Sequence, residues 1–214
     1  MELIKGDCLK IMKNIPDGSV DLILCDPPYG INYKSNKTNR HRKIANDKAP
    51  FIWWLYDAKR VLKDTGCLVT FFRWDVQEEF LRSLEIAGLP ANGVCVWDKG
   101  GGGMGDLKRQ FMPAHELFAF SPLPGFTFPG KRPSSVLHIP KVPSSKMVHP
   151  NQKPVELYEA LVKLTSKDGA TVLDPFLGSG TSGVAVKRVG GRRFIGIEQD
   201  DQYFDIAREN IKKE

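Results

Sequence analysis

The chain has 214 residues, 41% of them hydrophobic, enough for one domain with an ample core. Its four cysteines lie far apart with no C-x-x-C pair and its four histidines are scattered, a pattern that indicates neither a disulfide framework nor a zinc site; no metal is expected. A formal net charge of +6 favours a polyanionic partner, and the absence of a signal-peptide core or a long apolar span predicts a cytoplasmic protein.

Taken in order, the pattern predicts strands near residues 2–5, 20–25, 67–72, 93–97, 115–120, 171–174 and 193–198. Helices are predicted near 7–14, 51–63, 75–88, 154–165, 180–189 and 200–212. Such alternation means an α/β fold with a doubly wound, mostly parallel sheet covered on both faces. Asp7 follows the first strand, so its carboxylate lies at a strand end; the alternative is a plain helix cap. The run Ser19-Val-Asp-Leu-Ile-Leu-Cys25 reads as a buried parallel strand and delivers Asp26-Pro27-Pro28-Tyr29-Gly30 to its carboxyl end, where open α/β sheets bind ligands. An exocyclic amine on a base is a poor nucleophile because its lone pair is delocalised into the ring. Asp26 and the Pro27 carbonyl can accept both amine hydrogens and localise that lone pair as a methyl group arrives. Consecutive prolines keep the carbonyl aimed, and Tyr29 offers a face for stacking. Read blandly, the same run is a Pro-Pro turn capped by an aspartate.

Directly after it, Lys34, Lys37, Arg40, Arg42 and Lys43 form a stretch without acids, suited to phosphates. Phe51, Trp53, Trp54, Leu55 and Tyr56 are assigned to helix packing rather than base stacking. A glycine run, Gly100–Gly105, and a Pro-rich stretch from Pro122 to Pro150 interrupt the pattern. Phe126, Phe128, Lys131 and Arg132 could reach a nucleic-acid groove or belong to an inert connection. Pro154 suits the first turn of a helix with Val155, Tyr158, Leu161 and Val162 facing inward. Then Ala170-Thr-Val-Leu-Asp174 leads into Pro175-Phe176-Leu177-Gly178-Ser179-Gly180-Thr181. Gly178, Gly180 and Gly183 match G-x-G-x-x-G, and the next strand ends in Glu198, placed to accept from ribose hydroxyls. No Lys-Ser or Lys-Thr follows the glycines, so this is not a Walker phosphate loop. Asp200 is a plausible N-cap for the last helix, with Phe204, Ala207 and Ile211 inside.

These two runs, in this order, resemble the N4-cytosine/N6-adenine DNA amino methyltransferases of the permuted beta group, and the resemblance covers nearly the whole chain. It implies a seven-stranded, circularly permuted, Rossmann-like sheet with a reversed strand at one edge, forming a single domain over 1–214. A short target-recognition insertion is expected at about 98–148. Ile4-Lys-Gly-Asp7-Cys8 and His149-Pro-Asn-Gln-Lys153-Pro154 are similar to family segments that meet the cofactor. Trp97-Asp98-Lys99 and His115-Glu116 sit where the family surrounds the target base. The implied cofactor is S-adenosylmethionine, held by Asp7, Cys8, Asp26, Lys153, Asp174, Phe176, Gly178, Gly180, Thr181 and Glu198. The implied catalytic residues are Asp26, Pro27, Pro28 and Tyr29. DNA is the expected partner, over Lys34, Lys37, Arg40, Arg42, Lys43, Lys131 and Arg132, with a second copy of the chain another candidate. Aspartate at the head of the run is similar to the adenine-N6 members, whereas serine is commoner in the cytosine-N4 ones. No cysteine follows a proline, unlike the nucleophile of cytosine-C5 enzymes. Enzymes acting on RNA or on protein glutamine place the glycine run first, contrary to the order here. An idle subunit on the same fold is the remaining alternative.

Overall fold

The computed structural model describes residues 1–28, 51–102, 107–142 and 153–214. Its strands are β1 (Glu2–Lys5), β2 (Val20–Cys25), β3 (Leu62–Phe72), β4 (Gly93–Asp98), β5 (His115–Pro122), β6 (Val136–His138), β7 (Thr171–Asp174) and β8 (Arg193–Glu198). The α-helices are α1 (Cys8–Ile11), α2 (Trp54–Val61), α3 (Gln77–Ile86), α4 (Val155–Thr165), α5 (Thr181–Val189) and α6 (Asp201–Lys213), with single 3-10 turns at Met12–Asn14 and Trp74–Val76. All eight strands join one sheet in the order β1-β8-β7-β2-β3-β5-β4-β6. Only β5 runs against the others.

Two expectations about the sheet need correction. Among the described residues there are eight strands rather than seven, because β6 adds itself to β4 through Val96↔Val136, Trp97↔Leu137 and Asp98↔His138. Three residues inside a Pro-rich stretch are too few to show alternation. The reversed strand β5 is interior and not at the edge, because it pairs with β3 on one side and β4 on the other.

β2 is the spine of the domain. Val20 and Leu22 to Cys25 are fully buried, as expected of a parallel strand covered on both faces. Alternation sends Ile23 and Cys25 into one core with Met12, Trp54, Leu55, Ala58, Phe80 and Leu84. It sends Leu22 and Leu24 into the other, with Leu157, Leu161, Val184, Ala207 and Ile211. Each such side chain contributes about 1.5–3 kcal/mol by leaving water, so β2 is anchored from both sides just before it delivers Asp26.

The helix boundaries are set by caps. Asp200 accepts from the Gln202 and Tyr203 amides at 2.9 and 3.1 Å and opens α6 as expected. Pro154 is the N-cap of α4 rather than its first helical residue, and Leu157 joins Tyr158, Leu161 and Val162 on the buried face while Val155 is half-buried. α2 starts three residues late, so helix packing accounts for Trp54 and Leu55 only. Trp53 and Tyr56 are 65% and 55% exposed. Among the described residues no helix is long and apolar enough to cross a membrane.

Candidate active site at the carboxyl edge of the sheet

Neighbouring strands end along one edge, and most end in a carboxylate. Asp7 follows β1, Glu198 closes β8, Asp174 closes β7 and Asp26 follows β2. Because β5 is reversed, its first residues His115 and Glu116 lie on this edge too, beside Asp98 at the end of β4 and His138 at the end of β6. The fold thus brings together the two runs singled out in the sequence, on adjacent strands β2 and β7.

Asp26 is partly exposed and sits in a chain of charges. The Lys153 ammonium donates to its Oδ2 and lies 3.4 Å from Glu116 Oε2, while Lys99 donates to Glu116 Oε1 at 3.3 Å. Lys153 is itself only 7% exposed and its ammonium sits over the Phe71 ring at 4.5 Å. A buried ammonium survives only when paired. Burial alone would lower the Lys153 pKa, but Asp26 and Glu116 outweigh it and hold the group above its ordinary range. For Asp26, burial wins: its pKa is raised, against the pull of Lys153 and with a push from Glu116. Burial would likewise raise Glu116, yet Lys153 and Lys99 keep it below the ordinary value. Lys153, expected along the cofactor, is held against Asp26. Glu116 belonged to a segment assigned to the base pocket but was not itself picked out as a site residue. No local signal marks it, because its role comes from a lysine 37 positions away in the chain.

The glycine turn is organised from within. Asp174 is 3% exposed; its Oδ1 accepts from the Phe176 amide at 2.9 Å and its Oδ2 from the Ser182 hydroxyl at 2.5 Å. Burial raises its pKa to about 7 despite both bonds. It shapes the turn rather than reaching outward. Gly178 has φ +52°, an added Cβ there would meet only the Phe176 carbonyl oxygen at 3.9 Å, and its amide donates to Glu198 Oε2 at 2.8 Å. The Asp200 amide donates to Glu198 Oε1 at 2.8 Å, so both oxygens are aimed while the side chain stays half-exposed. Gly180 serves packing: at φ +89°, an added Cβ would stand 2.9 Å from the Ala207 Cα on α6. Thr181 opens α5, half-exposed. Phe176 is edge-on to Trp54 and Phe51, with centroids 5.2 and 6.0 Å apart.

At the near edge strand, Asp7 accepts from the Leu9 amide at 3.0 Å and so does cap α1. The Cys8 thiol turns into the core, and burial pushes its pKa up to about 12. Asp98 is pinned by the Gly100 amide and by His138 Nδ1, both at 2.9 Å. Tyr29, Lys34, Lys37, Arg40, Arg42, Lys43 and His149 to Gln152 lie outside the described residues. Lys131 and Arg132 are not brought to this edge. They belong to the connection that leaves β5 at Pro122, opposite Cys67 of β3, and enters β6 from the same far end. Phe126 and Phe128 each pack on Phe120 at a centroid distance of 5.4 Å and on each other at 5.2 Å.

A mostly parallel sheet with a glycine turn after β7, an acid at the end of β8 and Asp-Pro-Pro at the end of β2 defines an α/β methyltransferase. Residues 20–127 and 127–209 match the model of the N6/N4 DNA methylase family. YubD of Escherichia coli (strain K12), a protein named as a methylase, is 32% identical over 213 residues, covering 97% of this chain and 88% of its own. The M1.HpyAVI complex with SAM superposes with a TM-score of 0.74 at 24% identity, covering 97% of this chain and 98% of its own. The cytosine-N4-specific PvuII DNA methyltransferase superposes with a TM-score of 0.75 at 17% identity, covering 97% and 85%. The chain belongs to the N6/N4 DNA methylase family and is a DNA methyltransferase.

Proposed function

We propose that this enzyme methylates the N6 amino group of adenine in DNA, taking the methyl group from S-adenosylmethionine. The observation that carries the reading is a partly exposed carboxylate, Asp26, delivered beside Pro27-Pro28 by a strand buried on both faces and paired with a buried ammonium. Asp26 and the Pro27 carbonyl accept the two hydrogens of the flipped base's amine, which restores a localised lone pair on nitrogen. Lys153 helps Asp26 to act as an anion in a place where burial favours the neutral acid. The same burial makes the carboxylate a better proton acceptor than an exposed one, so it can take the proton that the methylated nitrogen sheds.

The glycine turn fits an adenosine-bearing donor. Gly178 leaves its outer side open, Glu198 presents aimed oxygens with lone pairs left for ribose hydroxyls, and Phe176 offers a fixed ring. S-adenosylmethionine, when bound, supplies a methyl group on a sulfonium, already a strong electrophile. Positioning and polarisation of the amine are what the chain must add. M1.HpyAVI, similar in fold, is described in complex with SAM.

Methylation of cytosine N4 is the second reading, favoured by the superposition on the cytosine-N4-specific PvuII enzyme. Aspartate at the head of the run supports adenine. Incubation of unmethylated DNA with labelled S-adenosylmethionine, followed by nucleoside mass spectrometry, separates the two. N6-methyladenine is expected; N4-methylcytosine would keep the mechanism and change the base, and cofactor binding without a methylated base would point to an idle subunit.

A further inference from the structure

Large apolar side chains left in water are concentrated on one edge of this molecule. Among the described residues, eight large apolar side chains are more than half exposed; Met1 and Ile86 lie elsewhere, and the other six, Trp53, Tyr56, Trp74, Leu107, Phe111 and Met112, belong to segments at the carboxyl edge of the sheet, the edge that carries Asp26. Phe111 is the extreme case, at 101% exposure. It lies in the loop between β4 and β5, where residues 107–113 are all exposed.

That loop is held at both ends. The Lys99 amide donates to the Ala114 carbonyl at 2.9 Å and closes its stem. Lys99 and Glu116 flank the stem and lead, through Lys153, to Asp26. Lys141, after β6, donates to the Gly102 carbonyl at 2.7 Å and ties the loop to the edge strand. An apolar tip therefore stands on a base coupled to the catalytic carboxylate. Lys108 and Arg109, in exposed positions, precede it in the same loop and give it a positive charge complementary to a polyanion. Trp74 lacks this setting, since its neighbours Arg73 and Asp75 pair with each other. The physical need is plain: a base drawn out of a duplex leaves an unfilled gap and an unstacked neighbour, and an apolar wedge offsets that loss.

We propose that Phe111 is such a wedge, entering the DNA stack where the target base has left while Lys108 and Arg109 lie along the adjacent phosphates. The inference rests on the DNA-methylation reading and commits to duplex DNA as the occupant of the exposed tip. Filling a gap matters only where there is a stack. The test is therefore methylation of unmethylated DNA, native or heat-denatured, by wild type, Phe111→Ala and Phe111→Trp. Phe111→Ala should slow transfer to native DNA roughly tenfold or more and leave denatured DNA within about twofold, with Phe111→Trp close to wild type on both. Equal losses on both substrates, or no loss on native DNA, overturn the wedge. Should wild type act on native DNA only, the native pair decides, and equal rates for Phe111→Ala and Phe111→Trp overturn it. A wild type that methylates neither substrate sinks the methylation reading and the wedge together. If Phe111→Ala breaks a dimer, seen by light scattering, and loses both substrates in step, the tip is a subunit contact and the wedge is wrong.

Discussion

Two Asp-Pro pairs end two neighbouring parallel strands, and they do opposite work. Asp174-Pro175 closes β7 with its carboxylate turned inward onto the Phe176 amide and the Ser182 hydroxyl. Asp26-Pro27 follows β2 with its carboxylate partly exposed and paired to Lys153. The register explains the difference. Ile23 faces Leu173 across the ladder, so Asp26 stands two residues, roughly 6–7 Å, further out than Asp174. The nearer carboxylate builds the floor of the edge, and the farther one stands above it, where the proposed substrate would meet it. A motif tells which atoms are available; the length of its strand decides what they touch.

The comparison breaks most sharply at Asp26. Its replacement by alanine should lower methylation by about 10²–10³-fold or more while S-adenosylmethionine affinity stays within a few-fold, as read by isothermal titration. Asp174→Ala should do the reverse kind of damage. Orphaning the Phe176 amide costs about 1–3 kcal/mol of stability, and cofactor binding should weaken with the turn. A variant with unchanged melting temperature and affinity would show that Asp174 is not the floor.

The two carboxylates should also differ in how pH acts through them. Asp174 titrates near 7 in the folded protein and near 3.9 in an unfolded chain. Its protonated form is the one folding favours. The stability it contributes is complete below the unfolded value and is lost as pH rises through about 7, a swing on the order of 2–4 kcal/mol. Asp174→Asn should flatten that part of the stability profile in denaturant titrations. A slope identical to wild type would mean the carboxylate is not buried as described.

At Asp26 the readout is the rate rather than stability. Activity requires the ionised form, so kcat should fall on the acid side with a limb above the ordinary carboxylate value. Lys153→Met removes the opposing charge and should move the limb further up, lowering the neutral-pH rate roughly ten- to a hundredfold. Glu116→Gln removes a like charge and should move it down, with only a few-fold change in rate. Shifts of the two variants in the same direction would contradict the charge chain.

Much of the fold was legible because it rests on local pattern. Continuous apolar runs marked β2 and β7, and Asp200 marked the start of α6. β6 was hidden because three residues among prolines carry no periodicity, and the interior place of the reversed strand was missed because the pairing of β5 with both β3 and β4 is long-range. The candidate site was legible where residues are contiguous, as in the Asp26 run and the glycine turn. It was illegible where partners meet across the sheet. Nothing near Glu116 announces Lys153, and nothing near Lys131 or Arg132 says that their loop lies at the far end. Asp7 was read for both a cap and a ligand site, and the geometry displays the cap.

The reversal of β5 divides the middle of the chain between two ends of the molecule. The connection into β5 enters at the edge that carries Asp26, and the connection leaving it is carried away to the opposite pole, where residues 129–132 are exposed. The enzyme thus has a spare end, open to growth, tethering or a grafted module without toll on the reacting groups. A short peptide inserted between Gly130 and Lys131 should leave methylation within about twofold, whereas the same insert after Leu107 should remove it, by the same labelled-methyl assay. Equal damage from both insertions would show that the two poles are not independent.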